Sequence, residues 1–544
     1  MYDMDEVMTW VGLCGLICCS TLMGCAELPP QITLNDAGVS DAQSPSMLPF
    51  DAALESLDAR RLRDGYAPPY DMGSSDVGTP RPRDLGIGVS DMSIDPIDAA
   101  NAFDSGPFNM PEPVEFEYLD TVVELTVPDD RVWAHLIYVN EEGSASPLTH
   151  TGYGASSDAQ DFWPASTIKM FAATAALEIL SRDGFSIDAT ATFARETGGE
   201  WVEDVTMSFR EIVHQTFNCS SNETYTLLLR FVGLDALNED FFTVANGFGM
   251  TALMRGYVAA DARPWAFVQS EAQRIMIEEA GRSVLREHQW SGRSYADAVG
   301  CTVYNESGTA NCTTPREMAE HLRRLIMHDD LDDDARFSLS PELLSWYRGD
   351  QEEQVLNNAN NTGCGGPAFA GVLSVFPDAD YYHKTGFVRQ YRSSIHHVHD
   401  PQSGVQYTAA LVLDNTEARW MRALAEEMAR MVRTPGVYVH LDYLRDHVNP
   451  VQADVVVISD EPGTLELWVK PFADDPMDEN GWRPLAGTRV DIERGDTAHR
   501  LRSRCRSRSE QVHIRGRVRT NSGRIAWSDI HYVIIDHTQA CSDE

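Results

Sequence analysis

The chain has 544 residues, enough for two or three domains. Its 83 Asp and Glu residues outnumber its 43 Lys and Arg residues, which gives a formal net charge of −40. Such a chain would repel phosphate, so the composition argues against a nucleic-acid partner. No two Cys or His residues fall in the paired spacings of a zinc site, and we expect neither a metal nor another cofactor.

Lysine is rare in this chain. It occurs only at Lys169, Lys384 and Lys470, and arginine supplies the other cationic side chains. Arginine does not lose its proton in a protein, whereas lysine can. The pattern indicates that an amine is kept where it must titrate or act as a compact charge. A compositional bias with three surviving lysines is the alternative.

The amino terminus predicts export. MTWVGLCGLICCSTLMGC is an apolar run too short for a comfortable membrane span. Its end, LMGC, resembles the bacterial lipoprotein signal, which implies that residues 1–25 form a signal peptide and that Cys25 is lipidated. Acidic residues near the start depart from that pattern, and an uncleaved anchor is the alternative. In both cases we expect a membrane-anchored protein in the periplasm or at the cell surface.

Residues 26–112 predict an acidic, disordered linker, because they are rich in Asp, Pro, Gly and Ser and poor in aromatic residues. In an exported protein the six cysteines after Cys25 can form disulfides. Cys301 with Cys312 and Cys505 with Cys541 are the closest pairs in sequence, but spacing leaves the connectivity open.

Residues 113–436 predict an α+β domain, an antiparallel sheet flanked by helices. Apolar spacing predicts, in chain order, a strand in RVWAHLIYVNEEG, helices in DFWPASTIKMFAATAALEIL, VTMSFREIVHQTF, NETYTLLLRFVG and TTPREMAEHLRRLIMHDDL, strands in FAGVLSVF, DYYHKTGFV, SSIHHVHD and VQYTAALVLD, and a helix in TEARWMRALAEEMARMV.

Residues 437–544 predict a small β-sandwich-like domain. Its apolar runs are short strands: ADVVVISD, TLELWVKPF, RVDIERG, EQVHIRGRVRT and HYVIIDH. We interpret the arginine-rich run RLRSRCRSRSE as a solvated loop in preference to a binding patch.

The helix in residues 161–180 pairs a hydroxyl with an amine. Ser166 and Lys169 are three residues apart, so they share one helix face. Burial in apolar surroundings disfavours the charged amine, and a neutral amine can take the proton of a serine nucleophile. Alone, this S-x-x-K spacing is common.

Two further groups point to the same chemistry. Ser220 and Asn222 lie where a loop enters a helix, and there they can relay a proton or hold a carbonyl, although helix capping is the alternative. Lys384 and Thr385 lie in a predicted strand and suit a carboxylate, while Gly386 permits close approach of another backbone. An ordinary lysine at a sheet edge is the alternative.

In this order, S-x-x-K, S-x-N and K-T-G are the signature of the penicillin-recognising serine enzymes. The chain resembles that superfamily over about residues 114–434, and within it the class A β-lactamases most closely. SSNETYTLLL is similar to the S-D-N loop and its helix, TTPREMAEHLRRLI to the helix after the omega loop, and GVQYTAALVLD to the last core strand.

The resemblance implies roles for the nucleophile and its partners. Ser166 would attack the substrate carbonyl and become acylated, with Lys169 helping to activate it. Ser220 would pass a proton to the departing nitrogen, and Asn222 would hold the substrate side-chain amide.

The resemblance also implies which groups on the K-T-G strand bind the substrate. Lys384 and Thr385, next to Gly386, would bind the substrate carboxylate. The backbone N–H groups of Ser166 and Phe387 would form the oxyanion hole.

The chain departs from the family in two places. Ser221 stands where the family has Asp, and the glutamate that activates water for deacylation is missing from RGYVAADARPW. An insertion runs from about residue 258 to 310. Glu306, in YNESGTANCTTP, is the candidate replacement base, with an ordinary loop glutamate as the alternative. Without such a base, acylation would outpace deacylation.

The leading hypothesis is a serine hydrolase that opens the β-lactam amide through an acyl-enzyme on Ser166. The first alternative is a penicillin-binding peptidase or acyl-transferase acting on D-Ala-D-Ala-like ends of peptidoglycan. The second is a non-catalytic cell-wall-binding lipoprotein, which would have no need of Ser166 and Lys169 together. In each case we expect a monomer attached to the membrane by its lipid.

Overall fold

The computed structural model describes residues 119–127, 131–139, 149–153, 158–258, 269–305, 307–349, 355–357, 371–414, 418–445 and 449–538. The predicted signal peptide with Cys25, the predicted linker, Glu306 and Cys541 lie outside these ranges. The expectations about them therefore stay predictions.

The helices and strands alternate up to residue 433, and only strands follow. The α-helices are α1 (Leu119–Thr126), α2 (Lys169–Asp183), α3 (Phe209–Asn218), α4 (Asn222–Val232), α5 (Tyr295–Ala298), α6 (Pro315–Ile326), α7 (Pro341–Arg348), α8 (Gly371–Val375) and α9 (Ala418–Arg433). The strands are β1 (Val132–Val139), β2 (Thr149–Tyr153), β3 (Thr190–Thr197), β4 (Glu200–Ser208), β5 (Gln273–Glu279), β6 (Arg282–His288), β7 (Asp380–Val388), β8 (Tyr391–His399), β9 (Gln406–Asp414), β10 (Val437–Leu444), β11 (Gln452–Ser459), β12 (Gly463–Pro471), β13 (Arg483–Pro484), β14 (Val490–Ile492), β15 (Gly495–Arg502), β16 (Glu510–Thr520), β17 (Ile525–Trp527) and β18 (His531–Ile535).

An antiparallel five-stranded sheet in the order β2-β1-β9-β8-β7 forms the centre of the first domain. One face packs with α2, α4 and α6, and the other packs with α1, α8 and α9. The inner strand β9 is buried on both faces, which explains its continuous apolar sequence. The predicted α+β fold class is confirmed.

Local signals explain where the helices near the centre begin and end. The Ser221 hydroxyl caps α4 by accepting from the backbone N–H of Thr224 at 3.1 Å. The Thr314 hydroxyl caps α6 by accepting from the backbone N–H of Glu317. Pro315 follows as the first residue of α6. Helix α2 ends at Gly184, whose φ of +69° favours glycine.

A second sheet, β4-β3-β5-β6, was not predicted. The apparent insertion at 258–310 contributes the hairpin β5–β6. Its strand β5 pairs antiparallel with β3, and Thr190 lies opposite Glu278. The prediction of a helix over VTMSFREIVHQTF was wrong in its first part. Val205 to Ser208 end β4, and the helix starts at Phe209.

The predicted strand FAGVLSVF is a helix where it is described. Val372, Val375 and Phe376 are buried at i, i+3 and i+4, which is helical spacing. Gly371 lets this helix approach α9, since a Cβ there would lie 2.8 Å from the carbonyl oxygen of Arg422.

The C-terminal strands form two packed sheets, as predicted. One has the order β10-β11-β15, and the other has the order β13-β12-β16-β17, with β14 paired to β12 and β18 to β16. Their facing apolar residues, such as Val439, Val455, Leu467 and Ile514, form one core. The run RLRSRCRSRSE spans the end of β15 and the loop that leads to β16.

Cys301 and Cys312, one of the two pairs closest in sequence, form a disulfide with their Cα atoms 5.9 Å apart; the sequence had left the connectivity open. Cys219 and Cys505 each also take part in a disulfide. In the described ranges, none of the helices combines the length and apolar character that crossing a bilayer requires.

Candidate active site

Ser166 lies in a tight turn before α2. The turn is a 3₁₀ segment, Ala165–Ile168, and Ala165 has a φ of +51°, which is costly for a residue with a Cβ. Two hydroxyl groups hold the turn in place. Tyr257 donates to the Ala165 carbonyl at 2.9 Å, and Ser393 donates to the Pro164 carbonyl at 2.9 Å. The backbone strain is therefore supported by strands and loops on two sides of Ser166.

Lys169 is fully buried at the start of α2. Its amine donates to the Asn222 Oδ1 atom at 2.8 Å, to the Ser220 carbonyl, and at 3.3 Å to the Ser220 hydroxyl. In the part of the chain that is described, these are its hydrogen bonds, so the amine faces Ser220 and Asn222 and makes no hydrogen bond to Ser166. The two motifs S-x-x-K and S-x-N meet at this amine.

The geometry decides between capping and a site role for the S-x-N group. Ser221 is the residue that caps α4. Ser220 has a φ of +49°, another unfavourable conformation, and its hydroxyl stands between two amines. The Asn222 side chain accepts from Lys169. Helix capping thus explains Ser221, the middle residue of the S-x-N group, but not Ser220 or Asn222.

Lys384 completes the cluster from the edge strand β7. Although β7 lies at the edge of the sheet, Lys384 is only 3 % exposed. Its amine donates to the Ser220 hydroxyl at 3.0 Å and to the Thr385 carbonyl at 2.9 Å. The lysine therefore does not serve as a solvated edge residue. All three motifs converge on the Ser220 hydroxyl.

Burial changes the proton affinity of both amines. Desolvation, followed by repulsion from Lys384, lowers the pKa of Lys169 well below its usual value, while Glu223 acts in the opposite direction. Desolvation lowers the pKa of Lys384 to about 7. Burial and the neighbouring amine therefore favour the neutral form of Lys169, and Lys384 changes charge near neutral pH.

Gly386 brings β7 against the nucleophile. A Cβ at this position would lie 2.8 Å from the backbone nitrogen of Ser166 and 2.9 Å from the carbonyl oxygen of Pro164. Only glycine allows this approach. The next residue, Phe387, is half exposed, and the guanidinium of Arg392 stacks on its ring.

Sequence reasoning missed an aromatic wall around Lys169. The amine lies 5.8 Å from the ring centre of Tyr225 and 6.0 Å from that of Tyr257. The Tyr257 hydroxyl also accepts from the indole of Trp163 at 3.2 Å. Tyr225 follows Asn222 by three residues on α4, and this spacing was the available signal. Nothing in the sequence marked Tyr257 as a neighbour of Lys169.

A buried asparagine holds the chain segment that carries Tyr257. The Asn311 Oδ1 atom accepts from the backbone N–H groups of Met254 and Arg255 at 2.7 and 3.0 Å. Its amide nitrogen donates to the Arg255 carbonyl at 2.9 Å. This asparagine lies just after the insertion and directly precedes Cys312 of the disulfide, so it holds the backbone two residues before Tyr257.

Tyr304, two residues before Glu306, packs beside Trp163, which precedes the Ser166 turn. The ring of Tyr304 packs 4.5 Å from that of Trp163, and the Tyr304 carbonyl accepts from Arg255 at 2.8 Å. Glu306 itself lies outside the described residues. In the described part of the chain, no group of three or more Cys, His, Asp and Glu residues is arranged to bind a metal.

Comparison with known proteins identifies the family. The model of the beta-lactamase enzyme family, Beta-lactamase2, matches residues 149–433, more than half of the chain. No curated protein matches. Similar solved structures include the TLA-3 extended-spectrum beta-lactamase, which is 16 % identical, with 59 % of this chain and 98 % of that chain covered and a TM-score of 0.37.

Two other similar structures have comparable scores. PBP-A is 14 % identical, with 59 % of this chain and 98 % of that chain covered and a TM-score of 0.36. A class A beta-lactamase representative from Bacteroides cellulosilyticus is 14 % identical, with 58 % of this chain and 96 % of that chain covered and a TM-score of 0.35. On the extent of the family-model match, the chain belongs to the beta-lactamase enzyme family.

Proposed function

We propose that the protein is a serine hydrolase that opens the β-lactam amide through an acyl-enzyme on Ser166. The observation that carries the proposal is the hydrogen-bonded cluster of Lys169, Ser220 and Lys384 beside the Ser166 turn. A purely structural cluster would not bury two amines around one hydroxyl, because desolvating two like charges is costly. Proton transfer between these amines and the Ser220 hydroxyl would account for the arrangement.

Acylation starts with the removal of the Ser166 proton. Neutral Lys169 accepts it while the Ser166 oxygen attacks the carbonyl carbon of the amide. The C–N bond then breaks, and the nitrogen takes a proton through the Ser220 hydroxyl, which is replenished from the Lys169 ammonium. The amine returns to its neutral state, and the substrate remains as an ester on Ser166.

The K-T-G strand supplies charge and dipoles for this step. Protonated Lys384, with the Thr385 hydroxyl, binds the substrate carboxylate. The N–H groups of Ser166 and Phe387 stabilise the oxyanion of the tetrahedral intermediate. The close contact between Gly386 and the Ser166 backbone supports this assignment, since it puts the residue before Phe387 against the Ser166 nitrogen.

Gly386→Ala tests this contact. The added Cβ must displace the Ser166 backbone or β7, and misplacement of about 1 Å at a reacting centre costs about 10²-fold in rate. We expect acylation by a chromogenic β-lactam to fall by about 10²-fold in stopped-flow measurements. Gly249→Ala is the matched control, because a Cβ there meets only a side-chain methyl group at 3.5 Å. Equal rates for both variants would refute the proposed oxyanion geometry.

A penicillin-binding peptidase or acyl-transferase acting on peptidoglycan ends is the second candidate. The observation in its favour is that, within the described ranges, the Lys169 amine donates to no carboxylate, and the rings of Tyr225 and Tyr257 stand beside it. Deacylation needs a base for the attacking water. A site without one would hold its acyl group.

Turnover of a chromogenic β-lactam separates the two candidates. Continued ring opening beyond one equivalent of enzyme identifies the hydrolase, and a burst of one equivalent that then stops identifies the acyl-transfer enzyme. If Glu306 is the deacylation base, Glu306→Gln slows steady turnover by about 10²- to 10⁴-fold and leaves the burst intact. Glu278→Gln, an exposed glutamate of the same insertion, is the control. Unchanged turnover in Glu306→Gln would remove Glu306 from the mechanism.

A further inference from the structure

The negative charge of the chain is distributed unevenly. Residues 437–544 carry 14 Lys and Arg residues and 18 Asp and Glu residues. They contribute −4 to the net charge of −40. The C-terminal domain thus has a small net charge, while the rest of the chain repels anions. A cationic surface on this domain would be the exception in an acidic protein.

Strand β16 carries such a surface. Its alternate residues Val512, Ile514 and Val518 are buried in the core between the two sheets. The residues between them point to the other side of the sheet. These are His513, Arg515, Arg517 and Arg519, here called the basic column. At about 3.4 Å per residue, the column is about 20 Å long.

Aromatic residues border the basic column on the neighbouring strands. Trp468 of β12 lies opposite Arg515, Trp527 of β17 lies opposite Arg517, and Tyr532 of β18 lies opposite His513. Phe472, which follows β12, packs 5.2 Å from the ring of His513 and 4.9 Å from that of Tyr532. Phe472 and Tyr532 are 50 % and 41 % exposed. Together with the column, these residues form one basic-aromatic face.

Two arginines of the face, Arg515 and Arg517, are held by rings and, among the residues that the structure describes, form no ion pair with a carboxylate. Arg515 lies 3.6 Å from the ring centre of Trp527 and 4.1 Å from that of Trp482, and Arg517 lies 4.5 Å from Trp468. Stacking of this kind fixes the plane of a guanidinium and leaves its edge donors free. The Nε atoms of both arginines are buried without a hydrogen-bond partner.

Other arginines of the same domain are paired. Arg500 forms an ion pair with Asp454 at 2.7 Å, and Arg506 forms one with Glu510 at 2.8 Å. Within the described residues, the three arginines of the basic column form no ion pair. Glu466 of β12 lies opposite Arg517 and attracts it without forming an ion pair; its carboxylate accepts from the Trp468 indole at 3.0 Å and lies 3.8 Å from Arg489. Glu479, which acts on Arg515 at longer range, pairs with Arg433.

We propose that the basic-aromatic face binds a polysaccharide that carries carboxylate groups. The free edges of stacked guanidinium groups match carboxylates in geometry and charge, and exposed aromatic rings offer flat apolar surfaces to sugar rings. The linear arrangement of the column suits an extended chain. This inference concerns the C-terminal domain and does not depend on the proposed chemistry at Ser166.

Charge density favours a polysaccharide over a nucleic acid. Duplex DNA carries one charge per about 1.7 Å of helix axis, and the acidic remainder of this protein would repel it strongly. A polysaccharide with one carboxylate per sugar residue is less densely charged. The guanidinium groups also cover ring faces of Trp468 and Trp527 that bases would need for stacking.

Calorimetric titration of the full chain with polygalacturonate tests the proposal, with dextran as the neutral polymer and a thymidine oligonucleotide as the nucleic acid. We expect polygalacturonate to bind, dextran to bind at least about tenfold more weakly, and affinity to fall as salt is raised. Arg517→Gln/Arg519→Gln should weaken binding at least about tenfold. Trp527→Leu, which removes the ring stacked on Arg515, should weaken it as well.

The matched control is Arg494→Gln/Arg500→Gln, which removes the same charge on β15 of the other sheet and directly before that strand, and should leave affinity unchanged. Thermal unfolding of each variant verifies that the domain is folded. Equal loss of binding in both double variants would mean a general charge effect and would overturn the proposal. So would equal affinity for dextran, tighter binding of the oligonucleotide, or absence of polygalacturonate binding.

Discussion

Ser166→Ala is expected to abolish covalent labelling of the protein by penicillin. The alanine has no atom that can form the ester, so labelling should fall by at least about 10³-fold, measured by intact-protein mass spectrometry. Stability should not change appreciably, because Ser166 is partly exposed and the turn is held by the backbone contacts of Tyr257 and Ser393. We expect the free energy of unfolding to stay within about 0.5 kcal/mol of the unmodified protein.

Ser345→Ala is the matched control for this experiment. Ser345 lies on α7, away from the three motifs, and its loss should leave labelling intact. Labelling that persists in Ser166→Ala would refute both enzyme hypotheses, because it would place the acyl group on another residue. Penicillin binding that is reversible in the unmodified protein and equally tight in Ser166→Ala would identify the non-catalytic binding protein.

The candidate site was predictable to a large extent because its chemistry restricts residue type and order. An amine that can lose its proton, a hydroxyl between two amines and a glycine against a nucleophile have few substitutes. Ser166, Lys169, Ser220 and Lys384 were each ambiguous alone, and their order along the chain predicted that they belong to one site. The structure brings the last three together within hydrogen-bond distance.

The parts that the sequence did not predict depend on tertiary context. Residues 273–288 were assigned to an insertion without predicted strands, yet they form a hairpin because β3 offers an unpaired edge for them. Val372 to Phe376 were assigned to a strand because a short apolar run has the same composition in a buried helix. Tyr257 was missed because Asn311, more than fifty residues later, determines where its backbone lies.

Lys169→Arg is expected to reduce acylation by about 10²- to 10⁴-fold, the usual contribution of a general base. Arginine keeps a positive charge and hydrogen-bond donors beside Ser220, but it cannot become neutral and accept the Ser166 proton. Stopped-flow acylation by a chromogenic β-lactam measures the loss. Lys470→Arg is the control, since Lys470 is also buried but its amine binds the Asp478 carbonyl in the C-terminal domain.

The pH dependence of acylation follows from the two lowered pKa values. Lys169 acts as a base only when neutral, so kcat/KM should rise with pH through the lowered pKa of this amine. Lys384 binds a carboxylate only when protonated, so kcat/KM should fall as pH rises past about 7. The expected profile for the free enzyme is therefore bell-shaped, with its alkaline limb set by Lys384.

Lys384→Arg separates the two limbs. A permanent cation at this position should remove the alkaline fall and leave the acid limb, because Lys169 is unchanged in sequence. Lys169→Arg should instead leave only the slow residual rate without the acid limb. An unmodified protein whose kcat/KM rises steadily to pH 9 would show that the Lys384 charge does not hold the substrate. An acid limb that persists in Lys169→Arg would assign the base to a different group near Ser166.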